Sequence, residues 1–453
     1  MSPSTPSLHQ QARALSRRGF LRLSGAALTS SVLAACVAAP TTAPGAAQES
    51  GAPAAQPATL SFLGGTWFVP ELGEYFEEFS QTWGAENNVE FSLDIVTQGA
   101  VEKLAAAVEA GEGANLAQID FAPTAFEDAL VDISDLAQTL IDQQGEFYDP
   151  ARYQCTIDGT WYAIPYGQHP RMVNYREDWF AEVGYDAFPD TWDGVLEAGR
   201  LLKEAGHPYG WTMSEQSPAD GVAACLTILW SFGGQEWNED GTLALDSQET
   251  LDALNFAIAL YNDACDPAVT SYQEASNNQA FLASQISMTY NVNTIYLPAV
   301  ESAPDVAAAM NHAGPPEGPG GRYGYTGIAE MILLNHTQGA DLDAAKKFML
   351  DFFDESTYGD FLKLGQGYLI PANPAFDDKP IWPEDPKLQA VRTVGSVGRL
   401  NGYALPSPTP VASTIQTQVL IPKMFSIACT DGNAEAALDA TLQAIADIQN
   451  QVG

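Results

Sequence analysis

Basic side chains are scarce in this sequence. Nineteen Lys and Arg stand against 57 Asp and Glu over 453 residues, a formal net charge of −38. Nucleic-acid backbones are held by clustered Lys and Arg, so this balance argues against a nucleic-acid partner. Histidine numbers five, and no two of the five cysteines have C-x-x-C spacing. No metal site and no cofactor is therefore implied. G-x-S-x-G, H-E-x-x-H and P-loop sequences are missing, so the chain is not expected to be an enzyme. Carboxylates are numerous enough for a glycosidase pair, but they read better as solvated surface. After Cys36 no charge-free apolar run reaches the roughly 20 residues that span a bilayer.

What is present begins with an address. Residues 15–36 read LSRRGFLRLSGAALTSSVLAAC, with no acidic residue before Cys36. A basic start, a short apolar run and a small-residue exit describe a secretory signal. Ser16-Arg17-Arg18-Gly19-Phe20-Leu21 resembles the twin-arginine export motif. Leu33-Ala34-Ala35-Cys36 resembles a lipoprotein lipobox, which makes Cys36 the expected lipidated N-terminus. Residues 1–35 are then a signal peptide. Loss of its four arginines takes the net charge from −38 to about −42. Residues 36–59 are mostly Ala, Pro, Thr, Gly and Gln, a composition too poor in large apolar groups to fold, and so a flexible tether. The protein is expected outside the cytoplasmic membrane, lipid-anchored at its outer face. Cys155, Cys225, Cys265 and Cys429 remain, an even count in an oxidising compartment. Up to two disulfides are possible, with three full connectivities.

The remaining 418 residues suggest about two domains. Leu60–Leu63 reads as a strand. Leu72, Tyr75, Phe76, Phe79 and Trp83 share a helical face, and residues 89–96 alternate like a strand. A helix over 101–110 and a strand over 116–121, broken by Pro123, complete a β-α-β-α-β rhythm. That rhythm predicts a parallel sheet with helical crossovers, and ligands beyond the carboxyl ends of its strands. Further on, Thr191 caps a helix ending at Gly206, and helices are expected near 247–264, 342–354 and at the C-terminus.

Residues 158–206 carry a pattern that resembles the family 1 extracellular solute-binding proteins of ABC importers. Its elements are Asp158, Gly159, Tyr162, Pro165 and Tyr166; then Tyr175, Arg176, Asp178 and Phe180; then Pro189, Thr191, Trp192 and Asp193. A second block, AFLASQISMTYN, is similar to the family's A-F-x-x-G-x-x-A-M-x-x-x-G, with Ser284 and Val292 where glycine is usual. A third runs from Gly327 to Phe353. The resemblance implies an α/β, two-lobed periplasmic-binding-protein-like fold, each lobe a mainly parallel sheet flanked by helices, with several crossings between lobes. One lobe would be 60–167 plus 328–366. The other would be 168–327 plus 367–453. Crossings are implied near 166–170, 325–329 and 365–371. The implied protein is a monomer that takes a small solute, most often a sugar, and hands it to ABC permease subunits in the membrane.

A sugar site needs flat aromatic platforms and short polar side chains. The candidates are Trp67, Phe68, Gln98, Asp120, Gln168, His169, Arg171, Trp211, Trp230, Tyr290, Asn291, Asn293, Tyr325 and Tyr368. Several admit an alternative. Trp230 lies in an apolar run and reads equally as core, Arg171 as a hinge salt bridge, and Asp120 as a helix cap. Asn291 and Asn293 read equally as turn residues, and His169 as hinge or ligand donor. Trp67 has no evident apolar stripe to join, which favours a pocket. Trp161 and Trp192 read as core. In sugar-binding relatives a tryptophan often follows the second block, where this chain has Thr294 with Tyr296 nearby. Two other ligands fit the same inventory: a quaternary amine in an aromatic cage, or a carboxylate on Arg171. A ligand sensor is a further possibility.

Overall fold

The computed structural model describes residues 57–97, 99–119 and 122–452. The leader, Cys36, Gln98 and Asp120 lie outside the described residues. Strand β1, Ala58–Gly65, opens the fold two residues before the expected start. Helix Pro70–Asn87 follows, with Pro70 at its first position, where a missing N–H removes nothing. Strand β2 is Val89–Val96, helix Ala100–Ala110 ends at left-handed Gly111, and β3 is Leu116–Gln118. β1 pairs in parallel with β2 from Ala58↔Val89 to Gly65↔Val96, and with β3 at Phe62↔Leu116. The expected rhythm is therefore present. Its third strand is shorter than read, and Pro123 falls within helix Ala122–Phe126 instead of in a break.

The chain then passes a short hairpin whose two-residue turn is Asp158-Gly159, both with positive φ (49° and 83°). Such a turn matches the twist of the strands it joins, which gives the D-G pair of the motif a structural meaning. Strand β4, Ala163–Pro170, leads directly to β5, Met172–Arg176. β5 is the centre of a second sheet, between β6, Met288–Asn291, and β7, Met310–Ala313. Both of its pairings are antiparallel, where a mainly parallel sheet is expected. Segment 177–287 starts β6 at the end of the sheet where β5 finishes, whereas segment 292–309 carries the chain back across to start β7, which runs parallel to β6 on the other side of β5. Strand β8, Gly324–Leu333, re-enters the first sheet. It pairs antiparallel with β4 on one side and β3 on the other. With β9, Gly398–Arg399, the first sheet has six strands.

Two α/β lobes result, and the implied crossing segments lie side by side. Gln168 bridges to Ile370 while Gln168 to Pro170 pair with Thr326 to Ile328. The β4–β8 ladder contains a bulge at Ala329/Glu330. Residues 372–377, placed in the second lobe by resemblance, hydrogen-bond to the segment around residues 144–148: Tyr148 N donates to Ala372 O, and Asn373 Nδ2 to Gln144 O. Helix Trp192–Glu204 is capped by the Thr191 hydroxyl, which accepts from Gly194 N at 3.3 Å. Ser284, where glycine is usual, adopts φ +55° and its hydroxyl accepts from Arg176 Nη1 at 2.9 Å. The four cysteines of the fold are buried and free, so the disulfides considered from their even number are not formed. They sit on separate elements inside the core, where burial suits a reduced thiol as a small apolar group. Among the described residues no helix is long and apolar enough to cross a membrane.

Candidate functional site

The carboxyl ends of β1 and β2 carry an unusual edge. Phe68 follows β1 and is 75% exposed. Ile95, at the end of β2, and Val101, at the start of the next helix, are exposed as well. Among the described residues, three of the six exposed large apolar side chains therefore gather at one sheet edge, where the strand ends leave room for a ligand. Phe68 is backed by Tyr368 at 6.2 Å between ring centroids, and Tyr368 by His169 at 4.8 Å. His169 and Tyr368 come from two of the crossing segments. Burial pushes the His169 pKa down to about 4, and the positive charge of Arg171 adds to the effect. At neutral pH this imidazole is uncharged. Gln168 is fully buried and holds the crossing together: its Nε2 donates to Pro371 O at 2.9 Å. It is a structural residue and not a ligand contact.

Beyond the crossing, Arg171 Nη1 donates to Asp220 and, at 2.9 Å, to Asn291 Oδ1. Asp220 also accepts from Asn277 Nδ2 at 2.8 Å and Asn291 Nδ2 at 2.9 Å. Burial disfavours the Arg171 charge, but Asp220 and Glu274 outweigh it and hold the guanidinium more firmly protonated. Asn291 is thus part of a buried ion-pair network. Asn293 is buried too and donates from Nδ2 to Gln366 O at 2.9 Å, beside the left-handed pair Gln366-Gly367.

The tryptophans proposed from the sequence lie in the core. Trp67 is 7% exposed and packs on Phe76 at 5.4 Å, so it does join an apolar stripe, one supplied by the following helix. Trp211 is fully buried between Trp192 and Tyr290, at 4.9 Å from each. Tyr290 is equally buried. Trp230 stacks with Tyr325 and donates from Nε1 to Glu236 Oε2 at 2.8 Å. These rings have their faces covered by protein, and none offers a free platform.

Sequence reasoning missed a further wall. A cavity of ≈ 440 Å³ opens between residues 124–158 and residues 239–241 with 405–410. Asp158 N donates to Ser407 Oγ across it at 3.1 Å. Nearby, the Arg399 guanidinium lies 3.3 Å from the Tyr323 ring and 4.2 Å from the Tyr403 ring. Gly402 N donates to Glu236 Oε1 at 3.1 Å. Burial raises the Glu236 pKa despite its hydrogen bonds to Trp230 and Gly402. A Cβ on Gly402 would come within 2.8 Å of Tyr153 Oη, so the glycine lets this loop approach Tyr153 closely. These residues lie in Pro- and Ser-rich loops without periodicity. The usable signal was the acid preceded by glycines, Gly233-Gly234-Gln235-Glu236. A larger cavity, of ≈ 510 Å³, is lined by residues 354–363 and 376–381 alone and lies apart from this wall.

Known proteins resemble the chain at both levels. A putative binding protein of Brucella abortus (strain 2308) is 24% identical over 312 residues, 67% of this chain and 74% of its own. The maltose-bound MalE3 of T. maritima superposes with a TM-score of 0.70 at 20% identity, covering 86% of this chain and 100% of its own. The sugar-binding protein MalE of Xanthomonas citri gives 0.71 at 16% identity, covering 87% and 98%. The family model described as bacterial extracellular solute-binding protein matches residues 74–390, and the chain belongs to that family.

Proposed function

We propose that the protein captures a saccharide between its two lobes and delivers it to the permease of an ABC importer. The observation that carries this reading is Phe68. A phenyl ring left 75% exposed at a strand end is poorly explained by folding, since its apolar surface remains in water. Backed by Tyr368 and His169, it is a platform for the C–H face of a sugar ring. An arabinooligosaccharide-binding protein of Halalkalibacterium halodurans is 28% identical over 129 residues, 28% of this chain and 27% of its own, and sugar-bound proteins share the fold. The first lobe comprises 60–167 with 328–366 and, by its hydrogen bonds, 372–377. The second comprises the remainder of 168–453. The lipidated Cys36 would tether the protein beside its permease.

The rival ligands lose their anchors. A carboxylate would meet an Arg171 already neutralised by Asp220. A quaternary amine needs open aromatic faces, yet Trp211, Trp230 and Tyr290 are covered and Arg399 occupies the Tyr323–Tyr403 gap. A thermal-shift screen tests the reading, because a ligand of the native state raises the melting temperature. Saccharides are expected to do so. Stabilisation by amines or amino acids alone would refute it. Replacing Cys36 with Ser is expected to release the protein into the medium, and continued membrane association would refute the tether.

A further inference from the structure

The cavity between the walls has a chemical bias. Among its lining residues Glu127, Asp158, Glu239 and Asp240 carry carboxylates, and none is Lys or Arg. A recess of ≈ 20 Å³ adjoins it, sharing Thr124 and Pro408 and lined also by Gln154. Gln154 is 3% exposed. Its Nε2 donates to Ile328 O at 3.1 Å and to Glu330 Oε2 at 2.8 Å. Both of these are acceptors, which fixes the amide orientation and leaves Oε1 as an acceptor. That oxygen has no hydrogen-bond partner among the described residues. A buried acceptor in this state calls for a donor. The nearby cations cannot answer a negative ligand: Arg399 lies between Tyr323 and Tyr403, and Arg171 is paired with Asp220.

Resting on the reading that a saccharide binds between the lobes, we infer that this cavity receives part of it and that the site selects amino sugars over neutral sugars and rejects uronates. A protonated amine brings three donors and no acceptor. It supplies a hydrogen for Gln154 Oε1 and a positive charge among four carboxylates. A uronate brings acceptors to acceptors and adds a fifth negative charge.

Calorimetry on the full chain with two matched series tests this. One series is glucose, glucosamine and glucuronate. The other is cellobiose, β-1,4-diglucosamine and β-1,4-diglucuronate. At 20 mM salt the amino member is expected to bind about fivefold tighter than the neutral one, as one charge contact near a protein surface allows. The uronate is expected not to bind. The advantage should shrink in 500 mM salt, where screening shortens to well under 10 Å. The double change E239Q/D240N should remove it, while E435Q/D439N on the exposed face of helix Ala434–Val452 should not. Neutral sugars binding as tightly as their amino counterparts would overturn the inference and leave the saccharide reading standing. So would an advantage that survives E239Q/D240N or disappears equally with E435Q/D439N, which would assign it to the overall charge of −38. If neither these series nor the thermal-shift saccharides bind, the saccharide reading itself fails.

Discussion

Asp220 and Asp240 are acids only 20 residues apart, and they sit in opposite circumstances. Asp220 is buried, paired with Arg171, and further bonded by Asn277 and Asn291. Asp240 is exposed, bonds only its neighbour Thr242 among the described residues, and lines the cavity with three other carboxylates. The neighbourhood of Asp220 has the polar residues a binding site is expected to have, yet its charges answer one another. The neighbourhood of Asp240 has the character of ordinary solvated surface, yet it adjoins an acceptor without a donor. Polarity collected in one place therefore does not identify a ligand site. What distinguishes one is hydrogen-bonding capacity that the protein leaves unused.

Substitutions can break this contrast, beginning with the largest effect. Asp220→Ala leaves the Arg171 charge buried without its partner and is expected to cost about 3–5 kcal/mol in urea unfolding. Combining Arg171→Met with Asp220→Leu should recover most of that loss, because an apolar pair replaces a buried ion pair at little cost. A loss below about 1 kcal/mol for Asp220→Ala would mean the network is more solvated than its burial indicates.

Acid titration comes next. Burial pushes the His312 pKa down to about 4. Between that value and an unfolded value near 6.5 the unfolded chain binds more protons. Stability should therefore fall as pH drops through this window, by up to about 3 kcal/mol, and the contribution should level off below pH 4. Buried Glu236 and, on the surface, Glu274, whose pKa values are raised, act in the opposite sense. Comparing wild type with His312→Gln at pH 7 and 4.5 isolates the histidine, and equal pH dependence in the two would remove it from the account.

Phe68→Ala should separate binding from stability. Melting should barely move, since the ring is mostly in water. Saccharide affinity should fall about tenfold, near the upper range of an aromatic contact. Unchanged affinity would remove Phe68 from the site. Last, Asp240→Asn should alter folding stability by less than about 0.5 kcal/mol and act on ligand charge preference alone. A larger change in unfolding would place Asp240 in the same kind of neighbourhood as Asp220.

The elements that local chemistry specifies were legible in the sequence. The alternation of β2, the face of helix Pro70–Asn87 and the Thr191 cap all follow from neighbours a few residues apart. So does the D-G pair, once its turn is seen. Exposure was legible where it follows from position, as for Phe68 just past β1. It was not legible where burial depends on remote partners. Trp67 joins a cluster completed by Phe348 and Phe352, some 280 residues later. Trp211 needs Tyr290, and Arg171 needs Asp220. The wall formed by residues 399–416 has neither periodicity nor a motif, and proximity to Glu236 and Tyr153 gives it meaning.

The ladder joining the two lobes has a mechanical consequence. Segments around 168, 327 and 370 are bonded into one ribbon. A laminated strip resists sliding between its layers but flexes readily across its thickness. Any closure of the lobes would then be a bend shared by all three segments, since kinking one alone would tear hydrogen bonds from the other two. The bulge at Ala329/Glu330 marks where that strip is already notched, because an extra residue there loosens the ladder and lets the strand turn. The lobes would swing about this notch along a single path, so that a ligand too bulky for that path would meet a rigid stop and not a yielding wall.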